Sequence, residues 1–567
     1  MLRRARAGTR SEAVRDRTVA AISLAAIVLL SLGVVLMAAN RPSLLAPATH
    51  NNFYPRWMAG PLGGLLPSLT SNGTTLKFLL TGAVVLMYVA YLIVLRHTRR
   101  IPVAWVFCAI ASVHVLFVLA PPLALTDIFN YINYGRMEVV HNLNPYTSIP
   151  ILEPHSDPSY ALSNWHQLLS PYGPLFTIVT FAVVPLGVAG SFWALKFLLA
   201  AASLGTIVLV WRCAKLLGRE PTRAIALVGL NPIVLVWGLG GDHNDFLMVF
   251  CIVLGLYLLL LARMRMAQAR AAGWGLLLPL SPQLIGGGAA FVLAAGIKAS
   301  GGVLIPVVLA GLARNRRALT QVVLGMVLSA AIVGAVSLAA FGLHVPDLST
   351  QSRLVTGESI PNLIGLALGL GGESAGLHKV MTVLLVLSVL GCCWVAWHAR
   401  AAEQPQPEVD ASGAQPAGDG ARAAHTAPAD PAARAGGAGA AGDDARAVDA
   451  GPAGLSAPPA DAGSAARRIA APGSVAAAER TIAACGWAGV ALLVTLSWVL
   501  PWYVVWVLPM AALSASRRLR VAALILGAYL IVAWAPASGK LWSAIGFHPE
   551  RTPLGMLHQR YVRELLN

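Results

Sequence analysis

The sequence predicts an all-α fold, a polytopic transmembrane helix bundle of about 13 helices with outer-face interfacial helices and a disordered cytoplasmic linker. Three observations predict it. Of the 567 residues, 57% are hydrophobic and 11% charged, against about 25% charged in a soluble domain. Charge-poor apolar runs of roughly 18 residues or more, enough to cross the hydrocarbon of a bilayer, recur along the chain. The 41 basic and 24 acidic residues leave a net charge of +17, but most Lys and Arg sit in short loops between the apolar runs. That placement reports topology rather than a nucleic-acid partner. A water-facing globule is excluded by composition.

Residues 1–18 form a basic N-terminus, and the apolar stretch 19–38 that follows is longer than a signal-peptide core and lacks a small-residue cleavage site. A retained first helix is expected there. Further crossings are expected near 77–95, 101–120, 191–211, 224–240, 245–262, 273–296, 319–341, 376–398, 480–500 and 520–537, with shorter pieces at 301–313 and 502–514. Basic clusters at 96–100, 212–223, 263–270, 314–317 and 517–520 mark cytoplasmic ends. All of them fall on one side only if 173–189, which contains Pro174 and Pro185, lies in the outer interface or dips in and returns. Segments 121–190, 241–245 and 342–375 then face outside. The main bundle thus covers 19–398, with outer loops 121–190 and 342–375.

Residues 399–480 are rich in Ala, Gly, Pro and Asp and poor in aromatic and β-branched residues. Such a stretch has too little apolar surface to offset ordering entropy, so it is expected to be a disordered cytoplasmic linker. It separates the main bundle from C-terminal transmembrane helices and a tail at 481–567. The six cysteines lie in or beside apolar segments without metal-ligand spacing.

Polar residues concentrate in three places. In 125–150, Asp127, Asn130, Arg136 and Glu138 are interleaved with Tyr131, Tyr134 and Tyr146, and helical spacing puts Asp127, Tyr131 and Tyr134 on one side. An interfacial helix with an aromatic belt and an Asp cap reads equally well there. In 231–248, a Gly-Gly-Asp-His-Asn-Asp turn carries Asp242, His243, Asn244 and Asp245. The two carboxylates suit helix capping, and one turn supplies too few ligands to claim a metal. Lys196 and Lys298 stand within apolar helices near expected outer ends, where an ionisable group marks a polar cavity or anionic ligand unless it snorkels. His114 reads as a hydrogen-bonded bundle residue. Loop 342–375, with His344, Asp347, Arg353 and Glu358, has the length and glycine content of a mobile lid.

In this order and spacing, TDIFNYINYGR, NLNPY, SPYGPLF, LNPIVLVWGLGGDHNDFLM and GIKASGGVLIPVV resemble the bacterial polyprenol-phosphate-mannose-dependent α-1,6-mannosyltransferases of the integral-membrane GT-C superfamily. The resemblance covers residues 100–315, with LPWYVVWVLP as a later echo. It implies a multi-pass cell-membrane enzyme with its active site on the outer face. Such an enzyme moves a sugar, mannose by analogy, from a polyprenyl-phosphate carrier to a cell-envelope glycan or glycolipid acceptor. The matching base is Asp127. Arg136, Lys196 and Lys298 would bind the donor phosphate, and Asn130, Tyr131, Asn144, Tyr146, Tyr172, Asp242, His243, Asn244 and Asp245 would bind substrate. No cofactor is required by this chemistry, and assistance by a divalent cation stays open. The expected partners are the lipid-linked donor, the acceptor and the bilayer, with no nucleic acid. The alternative is a transporter or flippase for a lipid-linked or anionic substrate, which intramembrane lysines would also suit.

Overall fold

The structure, a computed structural model, describes residues 2–40, 55–65, 73–123, 127–271, 280–399 and 472–566. Every regular element among these residues is a helix. In chain order they are α1 (Leu2–Asn40), α2 (Gly73–His97), α3 (Val103–Val118), α4 (Asp127–His141), α5 (Pro174–Val183), α6 (Gly187–Leu216), α7 (Pro221–Gly229), α8 (Asp245–Ala271), α9 (Pro282–Ile297) and α10 (Ile305–Leu312). There follow α11 (Arg316–Phe341), α12 (Leu348–Ser352), α13 (Ile360–Ala367), α14 (Ala375–Trp397), α15 (Pro472–Thr495), α16 (Leu508–Leu513), α17 (Arg517–Trp534), α18 (Ser538–Ala544) and α19 (Pro553–Leu566).

Seven helical runs among the described residues are long and apolar enough to cross a membrane, or eight if α17 and α18, bent by 78°, form one span. The expected count of about 13 full crossings is not reproduced, because several apolar stretches fold as shorter pieces. The stretch 224–240 is one. Pro232 has no N–H and crowds the preceding turn, so α7 stops at Gly229 and the chain resumes as a π-helical turn, Val234–Leu239. Asn231 bridges the break, its side-chain oxygen accepting from the Ile233 amide at 3.0 Å. Likewise 301–313 divides into the 3-10 helix Ala299–Leu304 and α10, and 502–514 into Pro501–Trp506 and α16.

The segment expected to lie in the outer interface breaks where its prolines predict. The ten residues of α5 rise about 15 Å, half the hydrocarbon thickness. A 3-10 turn around Pro185 and Gly187 at φ +71° then start α6, whose 30 residues suffice to cross. Most of the expected linker 399–480 lies outside the described residues. Its last nine residues belong to α15, which begins at Pro472.

Helix faces divide as a bilayer requires. Large apolar side chains such as Val327, Ile332, Val383 and Leu387 stand exposed on α11 and α14, a surface that water would penalise and lipid accepts. Where helices meet, small residues permit close approach. A Cβ on Gly288 would collide with the Val322 carbonyl oxygen, and one on Gly325 with that of Ile285, so glycine lets α9 pack closely against α11.

Candidate active site

Five separate segments meet at one end of the bundle. Asp127 opens α4, and α8 opens at Asp245 after a turn in which Asp242 takes the left-handed region at φ +57°. Asp tolerates that conformation better than most residues do. Lys196 lies in the early turns of α6, and Lys298 is the extended residue that ends α9. A Cβ on Gly173 would collide with the Gly296 carbonyl, so glycine there lets the 165–172 loop close onto the end of α9.

The charges are matched pairwise. Lys196 Nζ donates to Asp242 Oδ2 at 2.7 Å, with both side chains almost fully buried. Lys298 Nζ lies 2.9 and 3.0 Å from the two Asp245 oxygens, and Trp506 Nε1 donates to Asp245 Oδ1 at 2.6 Å. The ammonium of Lys298 also sits 4.7 Å from the Tyr503 ring centre, a cation–π contact. Buried charges tolerate such surroundings only when partnered in this way.

Asp127 is the carboxylate left without a lysine. His243 Nδ1 stands 3.0 Å from its Oδ2, a distance suited to a charged pair, but the angle misses hydrogen-bond geometry. The His243 ring stacks on Trp502 with centres 3.4 Å apart and planes 9° from parallel. Asp127 and Lys298 share the wall of a cavity of about 260 Å³, with Tyr131, Tyr172, Trp502, Tyr503 and Trp506 around them.

Asp127, Asp242 and Lys196 thus come together, through the adjacent residues Asp242 and His243. Tyr131 and Tyr172 line the cavity, and their rings pack edge-on at 4.7 Å. The Tyr131 hydroxyl receives the Asn244 amide at 3.3 Å, while both polar atoms of the buried Asn244 side chain lack a partner among the described residues. Lys196 lies behind the wall, wholly engaged with Asp242.

Other expected site residues hold the loops. Asn130 bonds Asn164 in both directions at 2.9 and 3.0 Å. Asn144 donates to the Phe341 carbonyl at 3.0 Å and accepts from the Tyr146 amide at 3.0 Å, and Tyr146 donates to the Tyr172 carbonyl at 2.8 Å. Arg136 turns away from the cavity. Its guanidinium grips Asp157 at 2.8 to 3.1 Å, and His141 joins at 2.8 Å. Burial opposes ionisation of Asp157, but hydrogen bonds from Arg136, Ser159 and His141 outweigh it and hold this carboxyl below its ordinary range. At nearby Glu153 burial, aided by the Asp157 charge, outweighs Asn133 and Arg136 and pushes the carboxyl up to about 8. His114 is bonded to the Ile110 carbonyl and the Ser203 hydroxyl, at 2.8 and 2.9 Å, as a bundle residue.

Two segments to which the sequence assigned no site residue also build the cavity. The aromatic run Pro501–Trp506 supplies much of the cavity wall from more than 250 residues beyond the Asp242 turn. Its density of Trp and Tyr was the available signal. The loop around α12 adds Leu348, Gln351, Ser352 and Leu354, and α19 braces that loop from outside. Leu565 packs with Leu168 and Leu354, its carbonyl accepts from the Gln167 amide at 3.0 Å, and Tyr561 donates to the Thr350 carbonyl at 3.3 Å. Among the described residues no group of three or more His, Cys, Asp or Glu side chains is placed to hold a metal ion.

Comparison with known proteins adds a lineage. Residues 28–314, just over half of the chain, match the family described as alpha-(1->6)-mannopyranosyltransferase, N-terminal domain. Alpha-(1->6)-mannopyranosyltransferase A of Mycobacterium tuberculosis is 32% identical over 147 residues, which are 25% of this chain and 28% of that protein. The protein of the same name from Corynebacterium glutamicum is 23% identical over 322 residues, 49% of this chain and 60% of the relative. A probable alpha-(1->6)-mannopyranosyltransferase of Mycolicibacterium smegmatis is 27% identical over 199 residues, 34% of this chain and 35% of the relative. The matched segments thus span 28% to 60% of these relatives' own lengths. No solved structure matches.

Proposed function

Because this chain belongs to the alpha-(1->6)-mannopyranosyltransferase family, we propose that it is a membrane-embedded mannosyltransferase whose reaction centre is the cavity at Asp127. The donor in this reading is mannose on a polyprenyl monophosphate. The acceptor is a hydroxyl of a cell-envelope glycan or glycolipid, and transfer takes place on the outer membrane face. The observation that carries it is the placing of one carboxylate without a lysine partner, Asp127, and one ammonium, Lys298, in the same aromatic wall.

Transfer needs little more. Asp127 takes the proton of the attacking hydroxyl as the new C–O bond forms at the anomeric carbon. The bond from that carbon to the phosphate oxygen breaks, and the electron pair leaves with the phosphate on its carrier. Lys298, held on Asp245, faces the developing phosphate charge, and the indole and phenol rings exclude water so that this charge–charge term gains strength. Lys196 keeps Asp242, and with it the His243 turn, in register behind Asp127. In this reading Arg136 fixes the loop through Asp157 and contributes no direct phosphate contact.

The competing carrier reading would place its polar site at mid-membrane, reached alternately from both sides. Here Asp127, the two Lys–Asp pairs and the aromatic wall collect at one end of the bundle rather than at its middle, which supports transfer over transport. The test is donor dependence. Purified full-length protein in detergent is expected to move mannose from synthetic polyprenyl-phosphate mannose to a mannoside acceptor, and to move none from a nucleotide sugar. Transfer from the nucleotide sugar alone would overturn the lipid-donor assignment.

A further inference from the structure

The opposite end of the bundle holds a second cavity, of about 160 Å³, lined by Arg99, Arg219, Glu220, Arg223 and Arg520. It lies beyond the far end of α6, about 30 Å along that helix from Lys196. Placement of basic residues by topology explains why each of these loops is positive. It does not explain why four arginines from three separate segments converge on one hollow.

Their internal partners do not balance them. Arg219 is held by Glu479 at 2.5 Å, Arg99 approaches Glu220 at 3.5 Å, and Arg520 donates to the Ser514 carbonyl at 2.6 Å. Arg223 makes no hydrogen bond or ion pair among the described residues. Four guanidiniums against the carboxylates of Glu220 and Glu479 leave an excess of two positive charges. Arg520 lies within electrostatic reach of Arg219, Arg223 and Arg517, so like charges crowd the space. A second observation refines the fit. Glu220 Oε1 is buried without a hydrogen-bond partner among the described residues, an acceptor that lacks a donor.

We propose that this cavity binds the phosphate group of a ligand that also carries a hydroxyl. The guanidinium forks match phosphate oxygens, and the hydroxyl donates to Glu220. The volume admits such a group, since a single water needs only about 10–15 Å³. Two sources offer this chemistry: a hydroxylated anionic phospholipid headgroup such as phosphatidylglycerol, or a soluble phosphate ester such as glycerol 3-phosphate. The site is remote from Asp127 and independent of the transfer chemistry.

The experiment uses purified full-length protein in neutral detergent. Thermal unfolding is followed during titration with phosphatidylglycerol, phosphatidylcholine or glycerol 3-phosphate. Wild type is expected to be stabilised saturably by phosphatidylglycerol and unaffected by phosphatidylcholine. The double variant Arg99→Gln, Arg223→Gln, which alters two exposed side chains and so preserves the fold, is expected to need at least tenfold more ligand. Saturable stabilisation by glycerol 3-phosphate would assign the site to a soluble ester of the same class. Equal stabilisation by phosphatidylcholine, no saturable effect of either hydroxylated phosphate, or an unchanged response of the variant would overturn the proposal.

Discussion

Two ionic cavities occupy opposite ends of this bundle, and their charges are settled differently. At the Asp127 end two ammonium groups face three carboxylates, and each lysine is consumed by its own aspartate: Lys196 by Asp242 and Lys298 by Asp245. Asp127 is the charge left over, with only the edge of His243 beside it. At the arginine end the surplus is positive: Arg219 is held by Glu479, but Arg99 and Arg223 are exposed and at most loosely paired. The difference teaches that buried pairing fixes architecture and still leaves uncompensated charge in each cavity.

Breaking a buried pair therefore gives the largest expected effect. Lys196→Met strands Asp242 in a dry interior and should cost about 3–5 kcal/mol, measurable by reversible unfolding in mixed micelles. The double change Lys196→Met, Asp242→Leu should recover most of that loss. Equal destabilisation in the single and double variants would show that the pair is not the structural unit.

How far these distinctions were legible in the sequence follows from the same physics. The helical class, the break near Pro185 and the polar turn at 241–245 were readable, because hydropathy, proline geometry and glycine spacing act locally. That Lys196 is taken up by Asp242, 46 residues on, rather than by a ligand was not, since no local pattern records which carboxylate meets which ammonium. For the same reason Arg136 could be read as a phosphate ligand, although Asp157, 21 residues on, occupies it. The count of about 13 crossings is not confirmed among the described residues, because a window of apolar residues does not register interruptions such as that at Asn231–Pro232. The stretch LPWYVVWVLP was legible, but sequence distance hid that its Trp502 faces the Asp127 cavity.

A smaller effect probes the wall. Trp502→Leu removes the ring stacked on His243, and stacking of this kind contributes roughly 0.5–1.5 kcal/mol. Transfer should fall by up to about tenfold through looser orientation of His243 against Asp127, with the fold intact. An unchanged rate would remove His243 from the positioning role.

Glu153 and Asp157 sharpen the contrast between partnered and unpartnered carboxyls within one loop. Glu153 is raised from an ordinary 4.5 to about 8, so between those values the folded state keeps a proton that the unfolded chain has released. Its stabilising contribution is complete below about 4.5 and is lost as pH rises through about 8. Asp157 is lowered, so its contribution is present above its ordinary 3.8 and is lost only as pH falls below it. Glu153→Gln should therefore raise the Tm relative to wild type at pH 8–9 and leave it little changed at pH 5. A Tm difference that does not vary with pH would contradict this.

The orientation of the two ends carries the smallest structural effect and a clear readout. A tag inserted after Gly218 should be unreachable from outside intact cells, whereas one after Gly369 should be reached. The opposite pattern would invert the bundle.

The most direct test of Asp127 as the base compares wild type with Asp127→Asn in a purified, folded state, measuring mannose transfer from synthetic polyprenyl-phosphate mannose alongside donor binding. The amide keeps the size and polarity of the side chain but cannot take the proton. Transfer is expected to fall by about 10²–10⁴-fold with donor binding preserved. Transfer by the Asn variant within a few fold of wild type would contradict the assignment of Asp127 as the base.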